Sequence, residues 1–323
     1  MLTSIDLFCG AGGLSLGLEA AGFQTAFAVE MKPEACATYS GVLPHVHLHK
    51  GRIENVSFKR WRGVDLVAGG PPCQPFSSGG KLRGRDDDRD MLPEFIRAVT
   101  EAMPRAFLLE NVPGLAGRHR PYLQRVLRPL VDLFEISEPM VINVADFGVP
   151  QKRRRMVVVG IEKGKAVKLP TAMQAKHSRS GDFLTEWPEG EANTSKVVYA
   201  KSPDIRPSPY DGQLFNGGGR PIQLEGPSPT ILASAGGNKT PFLDVRGLVP
   251  GYHAHLMLGG RPRAGTLPFA RRLTVAECAL LQTFPPGMRF HGARSAQYEQ
   301  VGNAVPLLLA AALGESIASA LSH

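Results

Sequence analysis

"SIDLFCGAGGLSLGLEAAGF" (residues 4–23) decides the fold. "SIDLF" (4–8) is a short apolar run that suits a buried strand, and "LSLGLEAAGF" (14–23) then takes up helical spacing. Between them, glycines at 10, 12 and 13 permit a tight turn and close approach of a ligand to the backbone. A second strand-like run, "TAFAVE" (25–30), ends on Glu30. An acid about twenty residues past such a turn is placed to accept hydrogen bonds from ribose hydroxyls. Position 15 is Ser, so the turn is not a clean G-x-G-x-x-G. That favours an adenosine-containing ligand other than a dinucleotide. No G-x-x-x-x-G-K-[ST] occurs, which argues against a phosphate-loop nucleotidase.

Outward from this stretch, strand-like and helix-like segments alternate. "VDLVAGG" (64–70), "RAFLLEN" (105–111) and "RMVVVGI" (155–161) read as strands. "MLPEFIRAVTEAM" (91–103) sets Leu92, Phe95, Ile96 and Val99 on one helical face, and "YLQRVLRPLVDLF" (122–134) reads as a further helix. The alternation predicts an α/β fold with a mostly parallel sheet covered by helices. Between Thr171 and Ala270 the chain carries 11 prolines and 14 glycines. That stretch is too long for a linker, and it predicts a second, smaller, loop-rich domain with short strands such as "PTILAS" (229–234) and "PFLDV" (241–245). Helical patterning resumes at "LTVAECALLQTF" (273–284) and "AVPLLLAAALGESIASAL" (304–321). The expected organisation is therefore a catalytic, cofactor-binding domain over 1–170, an insert over 171–270, and a segment over 271–323 that returns to complete the first domain.

Composition narrows the class. The 323 residues are 43% hydrophobic and 20% charged, enough to bury a core. The four cysteines (Cys9, Cys36, Cys73, Cys278) form no C-x-x-C pair, so neither a zinc site nor a disulfide framework is expected. There is no basic leader with an apolar run behind it and no apolar stretch of about 18 residues, so neither a signal peptide nor a membrane span is expected. A reducing cytoplasmic setting follows as an expectation. A net charge of +8 favours a polyanionic partner without requiring one.

Three segments carry the chemistry. In "GGPPCQPFSSGG" (69–80), Cys73 lies just past the end of a predicted strand, on a loop fixed by two prolines and followed by glycines. The C-terminal edge of a doubly wound sheet is where ligands sit. Such a thiol reads as a fixed nucleophile beside a closing flap, or as an inert cysteine. Glu110 in "FLLENVPGL" also ends a strand, so it reads as an acid held protonated by desolvation or as a turn residue. Asn111 and the "VPG" turn are placed to brace it. In "GVPQKRRRMVVVG", Arg153 and Arg155 are alternate residues entering a strand and are expected on one side. One suits a phosphate, the other a carbonyl oxygen or Glu110.

Together these blocks resemble the DNA (cytosine-5)-methyltransferases of bacterial restriction–modification systems. The resemblance rests on "DLFCGAGGLSLGLEAAGF", "GGPPCQPFS", "ENVPGL", "QKRRR", "RRLTVAECALLQTFP" and "VGNAVP", in the family's order and covering nearly all the chain outside 171–225. It implies that the first domain is a Rossmann-like fold dependent on S-adenosyl-L-methionine. Cys73 would attack C6 of a flipped cytosine, Glu110 would serve N3, Arg155 would contact O2 and Arg153 would lie nearer the backbone. Phe8, Gly10, Gly12, Gly13, Glu30, Met31, Pro72, Asn303 and Val305 would form the cofactor pocket. No metal is implied.

The insert then corresponds to a target recognition domain. Gln74, Ser77 and Lys81 on the flap, with Arg220 and Thr230 in the insert, are the expected contacts to double-stranded DNA. Arg220 would read guanine in the major groove and Thr230 would lie near a phosphate. The implied setting is a monomer in the bacterial cytoplasm, associated with the nucleoid and away from membranes, with a cognate restriction endonuclease as functional partner. One departure stands out: in "KGRIENV" the family usually has an acid where this sequence has Arg52, which cannot accept from the adenine amino group. The nearest rival reading is a tRNA cytosine-5 methyltransferase on the same scaffold, although that branch's "CFT" segment is absent.

Overall fold

A computed structural model describes residues 1–72, 90–171, 177–185 and 190–322. The chain divides into two compact units, one of Met1–Phe147, Arg154–Ala175 and Ala304–His323, the other of Gly148–Arg153 and Lys176–Asn303.

In the first unit β1 (Leu2–Leu7), α1 (Gly13–Ala20), β2 (Phe23–Glu30), α2 (Pro33–Val42), β3 (His47–Lys50), β4 (Leu66–Gly69), α3 (Leu92–Ala102), β5 (Ala106–Asn111) and α4 (Arg120–Leu127) follow one another. The strands β6 (Phe134–Ile136) and β7 (Met140–Asn143) come next. After β8 (Gln151–Lys152), which belongs to the second unit, β9 (Arg154–Glu162) returns to the first sheet. Its order is β3-β2-β1-β4-β5-β9-β6, with β7 also paired to β9. The pairs β1–β2, β1–β4, β2–β3 and β4–β5 are parallel, whereas β9 runs antiparallel to β5, β6 and β7. The mostly parallel, Rossmann-like α/β sheet expected from the sequence is thus present, and its order reverses between β1 and β4. In open sheets of this kind ligands bind outside the strand ends at that point.

The local reasons are plain. β4 and β5 are buried throughout, as strands covered on both faces must be. α3 buries Leu92, Phe95, Ile96 and Val99, the face read from the sequence. Phe95, Phe107 and Phe134 meet edge to face at 6.3 and 5.3 Å. The helix expected over 122–134 stops at Leu127 and continues as a single 3₁₀ turn, Arg128–Leu130, because Pro129 lacks the amide an α-helix needs there. α8 (Leu307–Ser322) lies against α1 so closely that a methyl group added to Gly17 would stand 2.4 Å from Ala310 Cβ. That apolar helix is core: Leu309, Leu313 and Ile317 are fully buried.

The second unit holds short strands around its own core: β10 (Tyr199–Asp204) with β11 (Gln213–Phe215), β12 (Ser228–Pro229) with β8, and β13 (Phe242–Asp244) with β14 (Ala270–Arg272). The helices are α5 (Leu248–Met257), α6 (Val275–Leu281) and α7 (Arg294–Asn303). Tyr199, Phe215, Phe242 and Tyr252 form the aromatic centre. The unit runs to Asn303, beyond the boundary at 270 expected from composition. The pairing of β14 with β13 and the bonds from Arg271 to Thr185 O and Arg272 to Thr240 O anchor 271–281 within this unit, and a capping box at Thr274 and Glu277 starts α6. Only "PT" of the expected strand 229–234 borders regular structure, since β12 ends at Pro229.

Two glycine substitutions test the packing. Gly17→Ala should lower stability by about 1–3 kcal/mol through overpacking against α8, despite alanine's better helix propensity. Gly41→Ala, in α2 with open space around it, should raise stability by about 0.5–1 kcal/mol. Urea denaturation of both variants measures the difference, and equal effects would contradict the close α1–α8 approach.

Candidate active site

The turn after β1 is built on left-handed backbone. Phe8 (φ 61), Gly10 (φ 54) and Gly12 (φ 89) all lie in that region, and at Phe8 a side chain is held there against steric preference. Glu30, at the end of β2, fixes the turn. Its Oε2 accepts from the Gly10 amide at 2.9 Å, and its Oε1 accepts from Met31 and Lys32 amides at 2.9 and 2.8 Å. A carboxylate offers about four lone-pair sites, so one remains on Oε2 for an incoming hydroxyl. A side chain added at Gly10 would project into open space, which is where a ligand can approach the backbone. α1 begins at Gly13 without a side-chain cap, leaving first-turn amides suited to a carboxylate.

Beneath the turn lies a polar chain for which the sequence carries almost no signal. Ser15 Oγ donates to Asp6 Oδ2 at 2.6 Å and shares a 2.8 Å hydrogen bond with Tyr39 Oη. Asp6 is fully buried and its Oδ1 has no partner. Burial pushes its carboxyl up to about 7, hydrogen bonds from Ser15 oppose that rise, and the nearby charge of Glu30 adds to it. The only hint in the sequence is a charged residue inside an otherwise apolar strand.

Glu110 forms the second half of the site. It lies in β5, 7% exposed, and its Oε1 meets Arg155 Nε at 2.8 Å. Because β9 runs antiparallel to β5, its first residues stand at the edge where the parallel strands end. Gly70 makes room for the acid: a Cβ there would stand 2.9 Å from Glu110 Oε2. Asn111 braces the neighbouring loop, donating from Nδ2 to Pro71 O at 2.9 Å while its Oδ1 accepts from the Val112 amide. Pro72 O accepts from the Met91 amide at 3.2 Å. Cys73, Gln74, Ser77 and Lys81 lie outside the described residues.

Arg153 and Arg155 are the less exposed residues of the run 152–155, in which Lys152 and Arg154 are exposed. Arg153 belongs to the second unit, is 1% exposed, and donates to Ile231 O at 3.1 Å and Gly302 O at 2.8 Å. β9 begins at Arg154, so Arg153 precedes the strand that carries Arg155. Thr230 donates to Lys152 O at 2.6 Å, and Arg220 is half-exposed on the "NGGGR" loop. Met31 and Pro72 are exposed; Asn303 ends α7, exposed, while Val305 is buried in the first unit. Arg52, the residue at the family's acidic position, pairs with Glu54 at 2.5 Å.

The three cysteines in the described residues are buried, and burial pushes each thiol up: Cys36 to about 11, Cys9 and Cys278 further. None of them is a thiolate at neutral pH.

The glycine turn, Glu30 and the buried Glu110–Arg155 pair are thus carried by a doubly wound sheet of the kind that binds ligands at its strand ends. The family follows from direct comparison. The chain matches the C-5 cytosine-specific DNA methylases over residues 2–211 and 235–319, belongs to that family, and is a DNA cytosine-5 methyltransferase. A Type II methyltransferase of Haemophilus parahaemolyticus, M1.HphI, is 34% identical over 98% of this chain and 86% of its own. Another of Neisseria gonorrhoeae, M.NgoMIV, is 31% identical over 99% and 98%. Among solved structures, S. pombe Dnmt2 methyltransferase shares the fold with a TM-score of 0.71 at 16% identity, covering both chains fully. Entamoeba histolytica methyltransferase EhMeth does so with 0.72 at 15%, over 100% of this chain and 99% of that one. The family and fold imply use of S-adenosyl-L-methionine.

Glu30→Gln should weaken S-adenosylmethionine binding about 10–100-fold, since one amide acceptor becomes a donor facing backbone N–H groups; calorimetric titration measures it. Asp6 gives a pH signature. Its folded pKa is raised, so its stabilising contribution is complete below the unfolded value of about 4 and is lost as pH rises to about 7. Relative to Asp6→Asn, the wild type should lose stability steadily across that window and level off above it, as measured by urea denaturation from pH 4.5 to 8.5.

Proposed function

We propose that the chain methylates C5 of a flipped-out cytosine within a short specific site in duplex DNA, as the modification half of a restriction–modification pair, through a covalent Cys73–C6 intermediate. The observation that carries this reading is the Glu110–Arg155 pair together with Asn111 holding Pro71, two residues before Cys73. The inert character of the other three thiols supports Cys73 as the nucleophile.

S-adenosylmethionine supplies an electrophilic methyl group when bound. The left-handed turn at Phe8–Gly12 leaves room for it, the free lone pair of Glu30 suits its ribose, and the uncapped start of α1 suits its carboxylate. Met31, Pro72, Asn303 and Val305 complete the proposed pocket. A stacked base hides its C5 and C6, so the cytosine must leave the duplex. The Cys73 thiolate then adds to C6 while Glu110 gives a proton to N3, and the resulting electron density makes C5 nucleophilic. Arg155 holds the Glu110 carboxyl group in line, protonated before the transfer and a carboxylate after it, and with its remaining guanidinium hydrogens serves O2 of the base. Loss of the C5 proton to a water molecule, expulsion of the thiolate and return of the N3 proton to Glu110 then restore Cys73 and the acid. Arg153, which donates to Ile231 O and Gly302 O, is proposed to lie nearer the backbone.

Gln74, Ser77 and Lys81, with Arg220 and Thr230, are proposed contacts to the DNA backbone and bases. Relatives named Type II methyltransferases support the restriction–modification setting, a cognate endonuclease and action on DNA in a bacterial cytoplasm.

Bisulfite sequencing of DNA from a host expressing the wild type should show newly protected cytosines in one short motif, with none for Cys73→Ala. Duplex carrying 5-fluorocytosine at that motif should trap the wild type covalently and leave Cys73→Ala free on a denaturing gel. Glu110→Gln should lower kcat about 10²–10⁴-fold. Protection that persists in Cys73→Ala would overturn the assignment of the nucleophile.

A further inference from the structure

The strands β13 and β14 pair antiparallel through Phe242–Arg272, Leu243–Arg271 and Asp244–Ala270. A hairpin of this kind is ordinarily closed by about two to five residues. In this chain residues 245–269 intervene, comprising α5 and an exposed run after it. A connection of that length within a compact unit needs a reason beyond closing the hairpin.

Its chemistry is one-sided. Residues 245–276 contain five arginines and no aspartate or glutamate. Two are used internally: Arg271 pairs with Glu277, and Arg272 is buried on Thr240 O and Lys196 O. Arg246, Arg261 and Arg263 are exposed and have no carboxylate partner among the described residues. Beside them stand apolar side chains in water: Leu258 is 90% exposed, Met257 57% and Phe269 55%. Phe269 is held in left-handed backbone (φ 58), and the Arg246 guanidinium stacks 3.4 Å from its ring centroid.

Exposure does not come from a loose backbone. Tyr252 Oη accepts from the Arg263 amide at 3.3 Å, and His255 Nε2 meets Arg261 O at 3.0 Å. Thr266 bridges to Val198, and the Leu267 amide donates to Val197 O at 2.8 Å. Cations and apolar groups are thus presented outward from an anchored frame, which lowers the ordering cost of binding.

We infer that residues 245–269 form an arm that contacts duplex DNA. Arg246, Arg261 and Arg263 neutralise phosphates, and Met257 and Leu258 meet the apolar groups of a groove, its sugars and thymine methyls. Three exposed guanidiniums without carboxylate partners, two of them resting on the rings of Phe269 and Tyr252, complement a polyphosphate, whereas a protein partner of mixed charge would leave some of them unmatched. The arm rests on the reading of duplex DNA as substrate, but its test does not depend on methyl transfer.

The test is duplex binding by fluorescence anisotropy at a series of salt concentrations, using a 30-base-pair duplex of arbitrary sequence. Each phosphate left unneutralised should lower the slope of log K against log salt by about 0.9, so the triple variant R246A/R261A/R263A should lower it by roughly 2.7. Leu258→Ser should weaken binding several-fold with the slope unchanged. S-adenosylmethionine affinity without DNA and the thermal unfolding midpoint serve as fold controls, and Arg261→Glu, a surface charge reversal, provides a second variant should the triple one fail them. A wild-type slope retained by both variants overturns the arm, as does failure of the wild type to bind duplex at all. An altered oligomeric state in the variants with DNA binding unchanged would identify a self-association surface and likewise overturn it. Methylation with an unchanged slope would leave the function standing and the arm refuted; a reduced slope without methylation would do the reverse.

Discussion

The first unit depends on one carboxylate. Glu30 accepts three backbone amides, one from the turn after β1 and two from the turn after β2, and so joins the loops that follow two neighbouring parallel strands. Parallel strands deliver their ends to a common edge but leave the loops beyond them without ladder partners. A charged acceptor offers each amide a stronger hydrogen bond than a neutral one would. With Gly10 held from outside and Asp6, Ser15 and Tyr39 linked beneath, the left-handed path through Phe8, Gly10 and Gly12 is determined from two sides.

A second constraint comes from the reversal at β9. Were β9 parallel to β5, its first residues would stand at the opposite edge of the sheet and Arg155 could not reach Glu110. The antiparallel pairing of Glu110 with Val157 and Asn111 with Met156 brings the strand's start beside β5's end. The resulting pair is mostly buried, and removing one partner would strand the other's charge at a cost of about 3–5 kcal/mol. Gly70 and Asn111 show how closely the neighbouring loop is fitted to this acid, the first by lacking a side chain and the second by fastening Pro71.

Much of this is legible in the sequence because the decisive signals are local. Apolar runs of strand length, glycines at a forced turn and acids at strand ends each follow from spacing along a few residues, and the sheet, Glu30 and Glu110 are readable that way. The misreadings come from long-range structure. Composition places a boundary at 270, yet the second unit runs to Asn303, and periodicity does not show that Arg153 binds carbonyls from Ile231 and Gly302, far away in sequence. Pro129 is the local exception, a helix breaker hidden inside an otherwise helical pattern. α5 escapes notice because Pro250 and Gly251 obscure its start, and only the packing of Val249, Tyr252 and Leu256 shows its buried face. Asp6 escapes notice because nothing in "SIDLF" indicates that Ser15 and Tyr39 will converge on it.

The near-contact of Gly17 with Ala310 has a consequence in time as well as in space. A ribosome adds about 5–20 residues per second, so α1 waits roughly 15–60 s for the helix that covers it. During that interval the turn after β1 has its own strands but lacks the final layer of the unit that carries it. The enzyme's first unit is therefore completed only after the whole second unit has been made, and a nascent chain that has formed every strand of the sheet still lacks the helix packed on α1.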